Sequence, residues 1–364
     1  MKTLQLASRM PGIVKSIRKN RRGDVDLPRF LTYIVSFRCN ARCVMCDSWK
    51  IPGQNELTLD DLEGILRQLP RLDAVRLSGG EPFLRKDFPQ IANLVTRVLR
   101  PLFLHVTTNG FSTDRIAQFV EQRDARTPLE MLLSIDGYGT KHNEVRGRST
   151  AWARVNATLD AILPMRESHN LSLTVNQVIV DEEGHDHYRK LRDALAPRGV
   201  TVQPVLAYDE SATYSIERER EDTAPSHAND FRPFGALSND WVLRFLEEVE
   251  ADTATLPRSN RIAKQFYLRN VRDRIRGTAS ASSLRCVALS SHLRLFPNGD
   301  VPTCQFNGKI VGNLRDQAFR EVWNGVKAEE QRKWVRGCPG CLAECEMVPN
   351  AIYTGAILRD ALPV

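Results

Sequence analysis

Between Cys46 and Cys286 the chain has no cysteine, a gap of 239 residues in a sequence of 364. A disulfide framework distributes its cysteines through the fold, so this gap excludes one. Nowhere do apolar residues run on for the roughly 18 positions that a membrane-spanning helix needs. The N-terminus, with Arg9, Lys15, Arg18 and Lys19 scattered through it, lacks the compact apolar segment of a secretory signal. The expected location is the cytoplasm. Internal repeats and low-complexity tracts are also missing. Aromatic residues are only 7% and do not interleave with basic ones as a nucleic-acid stacking platform requires. The net charge of +7 is mostly terminal: residues 1–29 hold eight Lys or Arg against Asp24 and Asp26, leaving one net positive charge for all the rest. Nucleic acid is therefore not an expected partner.

What is present is an ordinary globular composition, 42% hydrophobic and 26% charged, long enough for one large α/β domain and a smaller appendage. Apolar runs bounded by turn residues predict six strands: Phe30–Ser36, Ala74–Ser78, Leu102–Thr107, Leu129–Ile135, Leu171–Val180 and Thr201–Leu206. Helical periodicities lie between them, at Leu57–Leu69, Phe88–Leu99, Thr113–Gln122, Trp152–Met165 and His187–Leu195. Regular alternation of this kind predicts a parallel sheet with right-handed crossovers, curved into a partial (β/α)6 TIM-like barrel that carries its site at the strand ends. After residue 208 the pattern gives way to polar sequence read as a lid, then helices at Asp240–Glu250 and Arg261–Arg276. Asn298-Gly299 predicts a β-hairpin, and one helix is expected from Leu314 to about Arg336. The expected organisation is a basic amphipathic segment (1–27), the barrel (28–208), a lid with connecting helices (209–280), a small hairpin-plus-helix domain (281–350) and a tail (351–364).

Cys39, Cys43 and Cys46 follow directly on the first strand. Three thiolates on one loop can hold three irons of a [4Fe-4S] cluster and leave the fourth open, as a catalytic metal site is open. This CxxxCxxC, placed at the end of a first βα strand, resembles the radical S-adenosylmethionine (radical SAM) superfamily. The resemblance continues through Ser78-Gly79-Gly80-Glu81-Pro82, Thr107-Thr108-Asn109-Gly110, and Ser134-Ile135-Asp136-Gly137 with His142 and Arg146. It implies that the cluster cleaves SAM to a 5′-deoxyadenosyl radical that abstracts a substrate hydrogen. Met45, Gly79, Gly80, Glu81, Pro82, Asn109, Ser134, Asp136 and Arg146 would then bind SAM, with Glu81 facing its ammonium group. Met45 stands where the family usually has an aromatic residue and can pack on adenine in its place.

Near the C-terminus, Cys286, twelve residues, Gly299, four residues and Cys304 resemble the opening of SPASM and twitch extensions, which hold auxiliary [4Fe-4S] clusters. Cys338, Cys341 and Cys345 complete five thiols, enough for one four-ligand cluster with one to spare; counting does not say which, and zinc would accept the same set. In sulfatase-maturating relatives an Asp following the second cysteine of this pair acts as base. Gln305 stands there, and an amide takes no proton, so Asp300 or acids of the lid would have to serve.

Too few residues precede Cys39 for a leader-peptide-binding domain, so the expected substrate is a small molecule or lipid-like, to be oxidised or rearranged. The alternative is a peptide delivered by a separate protein. A flavodoxin or ferredoxin is the expected reductant. Leu6, Met10, Ile13, Val14 and Ile17 recur at helical spacing against basic residues, a pattern that suits either packing on the barrel or peripheral contact with an anionic membrane through residues 1–22. The basic run Arg261–Arg276 could bind phosphate or carboxylate, or be a solvated face.

Overall fold

The computed structural model describes residues 2–208, 211–215, 233–279 and 285–358, so most of the expected lid acids lie outside the described residues. The chain opens with helix α1 (Lys2–Arg22). It then alternates through β1 (Phe30–Ile34), α2 (Leu59–Gln68), β2 (Ala74–Ser78), α3 (Phe88–Leu99), β3 (Phe103–Thr108), α4 (Thr113–Gln122) and β4 (Leu129–Ser134). Helices α5 (Thr140–Arg146) and α6 (Ala151–Ile162), β5 (Leu171–Ile179), α7 (Glu183–Leu195) and β6 (Thr201–Leu206) complete the series. Helices α8 (Asn239–Asp252) and α9 (Arg258–Ile275) follow.

Local chemistry sets several of these boundaries. Thr58 caps α2 by accepting from the Asp61 amide at 3.1 Å, while the Asp61 carboxylate accepts from the Thr58 amide at 3.0 Å. Helix α7 begins four residues before the expected His187: the Asp181 carboxylate accepts from the Gly184 amide, and a side chain at Gly184 would press on Ile179 at 3.0 Å.

The sheet has one strand more than the sequence suggests. Its order is β6-β5-β4-β3-β2-β1-β7, parallel throughout, and β7 (His292–Leu295) pairs with β1 from Phe30↔His292 to Tyr33↔Leu295. The residues before Asn298-Gly299 thus belong to the main sheet and not to a hairpin. The turn itself forms, with Gly299 at φ +95°, and β8 (Asp300–Pro302) pairs antiparallel with β9 (Ile310–Asn313). The expected helix from Leu314 is two, α10 (Phe319–Trp323) and α11 (Val326–Gly337), because Asn324-Gly325 leaves helical geometry and a Cβ at Gly325 would lie 2.8 Å from the Glu321 carbonyl. Helix α12 (Glu344–Thr354) is the last element among the described residues.

Strand residues alternate between two environments. Leu104, Val106, Leu129, Met131, Leu133, Leu173 and Val175 are buried against Phe88, Ile91, Phe119, Val155 and Leu159 of the surrounding helices. Phe83, Phe88 and Phe119 interlock there with centroids 4.7–5.6 Å apart. The other side chains point into the barrel. One row runs in register across six strands: Arg294, Thr32, Arg76, His105, Glu130 and Ser172. A closed (β/α) barrel fills such a layer with branched apolar residues. Here the layer is polar and lines a cavity.

Edges β6 and β7 do not pair with each other; α9 and α12 cover the gap. Lys264 of α9 donates to the Pro204 carbonyl in β6 and to Glu344, while Glu346 of α12 pairs with Arg294 of β7. Helix α1 docks on the opposite end of the chain: Asn20 donates to the Tyr353 carbonyl at 2.9 Å and to Ser291 at 2.8 Å, and Arg21 to the Thr354 carbonyl. Ile13 packs inward toward Phe30 and Tyr353, whereas Leu6, Met10 and Val14 stay exposed. Among the described residues no helix is long and apolar enough to cross a membrane.

Candidate functional site

A cavity of about 980 Å³ occupies the barrel, with Cys39, Cys43 and Cys46 in its wall together with Met45, Gly79, Gly80, Asn109, Ser134 and Arg146. The thiol-bearing loop follows β1 and is pinned from two sides. Toward β2, Gly80 donates to the Ser36 carbonyl and Glu81 to the Arg38 carbonyl, each at 2.8 Å. Toward α5, the amides of Arg42 and Val44 donate to the Arg146 and Val145 carbonyls. Glycine is required here by close approach: a Cβ at Gly79 would sit 2.3 Å from the Ser36 carbonyl, and one at Gly80 2.3 Å from that of Arg38. What the Gly-Gly pair accommodates is the cysteine loop, and its own backbone then faces the cavity.

Glu81 and Pro82 stand behind that wall. The Glu81 side chain is fully buried and accepts from Thr108 Oγ1 at 2.8 Å and from the amides of Asn109 and Phe83. Burial raises its pKa to about 6 against these donors. The expected meeting of Glu81 with an ammonium group is therefore replaced by a bracket joining β2 to β3. Asn109, so positioned, donates to Asn40 Oδ1 at 2.7 Å within the cysteine loop.

Asp136 is likewise off the cavity wall. Its carboxylate accepts from the Val178 amide and pairs with Arg146 at 2.6 Å. Arg146 reaches Cys43 Sγ at 3.6 Å. Burial opposes its charge, but Asp136 and Cys43 more than offset this and keep it protonated. His142 accepts from the Asp136 amide through Nδ1 and is held neutral by burial and by Arg146, its pKa lowered to about 3. Ser134 and Arg146 thus face the cavity, while Asp136 and His142 support them. Met45 packs beside Val145, Val180 and Ala207 at the rim.

The C-terminal thiols divide. Burial raises the pKa of each of Cys286, Cys304 and Cys341, and their neighbours in this group, Cys338 included, raise it further. None of these four lines the cavity; Cys345 does, near Arg76, Arg294 and Glu344. All eight cysteines are free thiols, and among the described residues no three ligating side chains converge as around one small ion. The donor sets suit clusters: three thiols on one loop with a coordination position to spare, and four from three segments, the number a closed cluster takes.

Asp300 does not reach the cavity. It accepts from Asn298 at 2.5 Å and Asn313 at 2.8 Å, locking the Asn-Gly turn, so it is not placed to act as a base there. Gln305 is on the wall, donating to Ser211 at 2.6 Å and to Tyr208 at 3.3 Å. The basic run of α9 is mostly spent on internal contacts, Arg272 with Glu250 and Arg274 with the Pro339 carbonyl, while Lys264 lies on the cavity wall. Arg76, Arg294, Asn176 and Gln203 are cavity residues the sequence reading missed, and alternation along their strands was the available signal. Lys264 lay within the basic run that reading had singled out.

A model of the Radical SAM superfamily matches residues 33–195, and a SPASM model, an iron-sulfur cluster-binding domain, matches residues 286–346. The chain is 22% identical over 338 residues to an AdoMet-dependent heme synthase of Methanosarcina barkeri, covering 88% of this chain and 89% of that protein. It is 29% identical over 210 residues to a GTP 3′,8-cyclase of Klebsiella pneumoniae, 47% of this chain and 63% of the cyclase, so that match stops short of the cyclase's full length. Among solved structures, anSMEcpe with bound AdoMet and the Cp18Cys peptide superposes with a TM-score of 0.56 at 16% identity, over 92% of this chain and 95% of that one. Streptococcus suis SuiB bound to S-adenosylmethionine superposes with 0.57 at 15% identity, over 86% and 69%.

Proposed function

Since this chain is a radical SAM enzyme with a SPASM-type iron-sulfur domain, we propose that it cleaves SAM within the barrel and directs the radical at a polar small molecule held in the same cavity. When bound, the cluster and SAM supply a 5′-deoxyadenosyl radical that can take a hydrogen atom from an unactivated C–H bond. Cys39, Cys43 and Cys46 would hold the cluster. The Gly79-Gly80 backbone, Asn109, Ser134 and Arg146 would meet the polar end of SAM, with Met45 against its adenine.

The residues behind these set their geometry. Asp136 keeps Arg146 charged and aimed at the cysteine loop, and Glu81 fixes the end of β3 from which Asn109 projects. Cys286, Cys304, Cys338 and Cys341 would hold one auxiliary cluster outside the cavity. A flavodoxin or ferredoxin would deliver the electron.

The observation that carries this reading is the cavity's two ends. Three thiols stand at one, and the row Thr32, Arg76, His105, Glu130 at the other, in a volume at the upper end of the roughly 300–1,000 Å³ usual for ligand sites. Arg, Lys, Glu, Asn and Gln in the wall suit a polar substrate better than an acyl chain. A peptide brought by a separate protein is the second reading, supported by the peptide-bound structures of anSMEcpe and SuiB.

Anaerobic reconstitution with iron and sulfide, then dithionite, tests the proposal. The wild type is expected to bind about eight irons and form 5′-deoxyadenosine, and the Cys39/Cys43/Cys46 triple Ala variant to keep about four irons and form none. A wild type that forms no 5′-deoxyadenosine under any reductant refutes it.

A further inference from the structure

We infer that the floor of the cavity is an anion subsite built on Arg76 and Arg294, and that the substrate carries a carboxylate or phosphate group. The inference rests on the cavity being the substrate site. The two guanidinium groups rise from one row of the sheet on either side of Thr32. Their strands are two sheet spacings apart, about 10 Å between backbones.

The other cavity cations that an acid neutralises are plain: Arg146 has Asp136, Lys264 has Glu344 and Arg294 has Glu346. Arg76 differs. Among the described residues no carboxylate pairs with it; it donates through Nε to His105 Nδ1 at 3.0 Å and through Nη1 to the Cys345 carbonyl at 3.1 Å, and lies over the Phe30 ring at 5.1 Å. Both hydrogen-bond partners are neutral, since burial and Arg76 itself lower the His105 pKa to about 3. Among the described residues nothing accepts from Nη2 of Arg76.

Arg294 contributes a second open donor. Its side chain is buried, its Nη2 is held by Glu346, and its Nε has no acceptor among the described residues. A half-buried charge without a counter-ion and a buried N–H without an acceptor are both costly, and a ligand with two anionic oxygens relieves both. The planar guanidinium fork fits carboxylate and phosphate oxygens in pairs.

Cys345 provides a reporter, because its thiol lines the cavity and both guanidinium groups favour its thiolate, while burial and the Glu346 carboxylate outweigh them and raise its pKa. In the reconstituted holoenzyme, Cys345 alkylation by iodoacetate and by iodoacetamide is followed by peptide mass spectrometry. Arg76→Gln is expected to lower the iodoacetate-to-iodoacetamide rate ratio about tenfold, with Arg76→Lys retaining most of it. Iron content and far-UV circular dichroism verify that the variants are folded.

Millimolar succinate or inorganic phosphate is expected to slow iodoacetate labelling of the wild type, and whichever protects identifies the group. Isothermal titration of the same two anions reads the subsite without the thiol. An unchanged ratio in folded Arg76→Gln, or anion binding equal in wild type and variant, overturns the inference. None of these readouts requires SAM cleavage, so a wild type that forms no 5′-deoxyadenosine refutes the functional proposal and leaves this test standing.

Discussion

Cys39, Cys43 and Cys46 come from eight consecutive residues and open onto the barrel cavity, whereas Cys286, Cys304, Cys338 and Cys341 are gathered from separated stretches of the C-terminal region and stand outside it. The first site is defined by its neighbours: two glycines after β2, Asn109 after β3 and Arg146 at the end of α5 brace a loop that could not brace itself. The second, as proposed, would be defined by topology, since its four thiols come from segments separated by β8, β9 and α11. An open site needs outside groups to aim its ligand, while a closed one needs only its own four donors.

The sharpest way to break this comparison is to move the boundary between the two sites. Cys304→Ala is expected to lose about four of about eight irons, while Cys345→Ala keeps them all, as iron and sulfide assays would register. Loss of iron from Cys345→Ala would make Cys345 a ligand and the cavity wall part of the second site.

A smaller effect is expected from the brace around the first site. Asp136→Asn removes the anion that aims Arg146, and the KM for SAM in 5′-deoxyadenosine formation should rise roughly tenfold with iron content unchanged. An unaltered KM would mean that Arg146 serves the loop and not the ligand.

Smallest is the backbone contact. Gly80→Ala forces a Cβ against the Arg38 carbonyl and should cost about 1–3 kcal/mol, lowering the melting temperature and the iron bound at the first site. Gly64→Ala in α2, with nothing within 4 Å of the added carbon, should instead stabilise by about 0.5–1 kcal/mol. Differential scanning calorimetry distinguishes the two.

The same contrast explains what could be read before the structure. The six strands β1 to β6 were legible within a residue or two, and so was the cysteine loop, because periodicity and spacing are local. Glu81 and Asp136 were read as SAM-binding residues, but each turns its carboxylate to a neighbouring element, and that direction depends on what packs there. Arg76 and Arg294 look like ordinary surface charges until the register of neighbouring strands aligns them inside. Strand β7 was hidden because an Asn-Gly turn normally joins two antiparallel partners, whereas here only the turn survives and the preceding strand finds β1 across the length of the chain.

That last pairing has a bearing on how the protein is made. Phe30 to Tyr33 emerge from the ribosome early, but the strand that covers their open edge, His292–Leu295, emerges only after the six-strand portion and α8 and α9 are complete. During that interval β1 is an unprotected edge beside three reduced thiols. Contacts of such high sequence separation form slowly, and exposed edges recruit other chains. C-terminal truncations that remove β7 are expected to aggregate even though the whole cysteine loop is present, as light scattering of the purified truncation against the full chain would register.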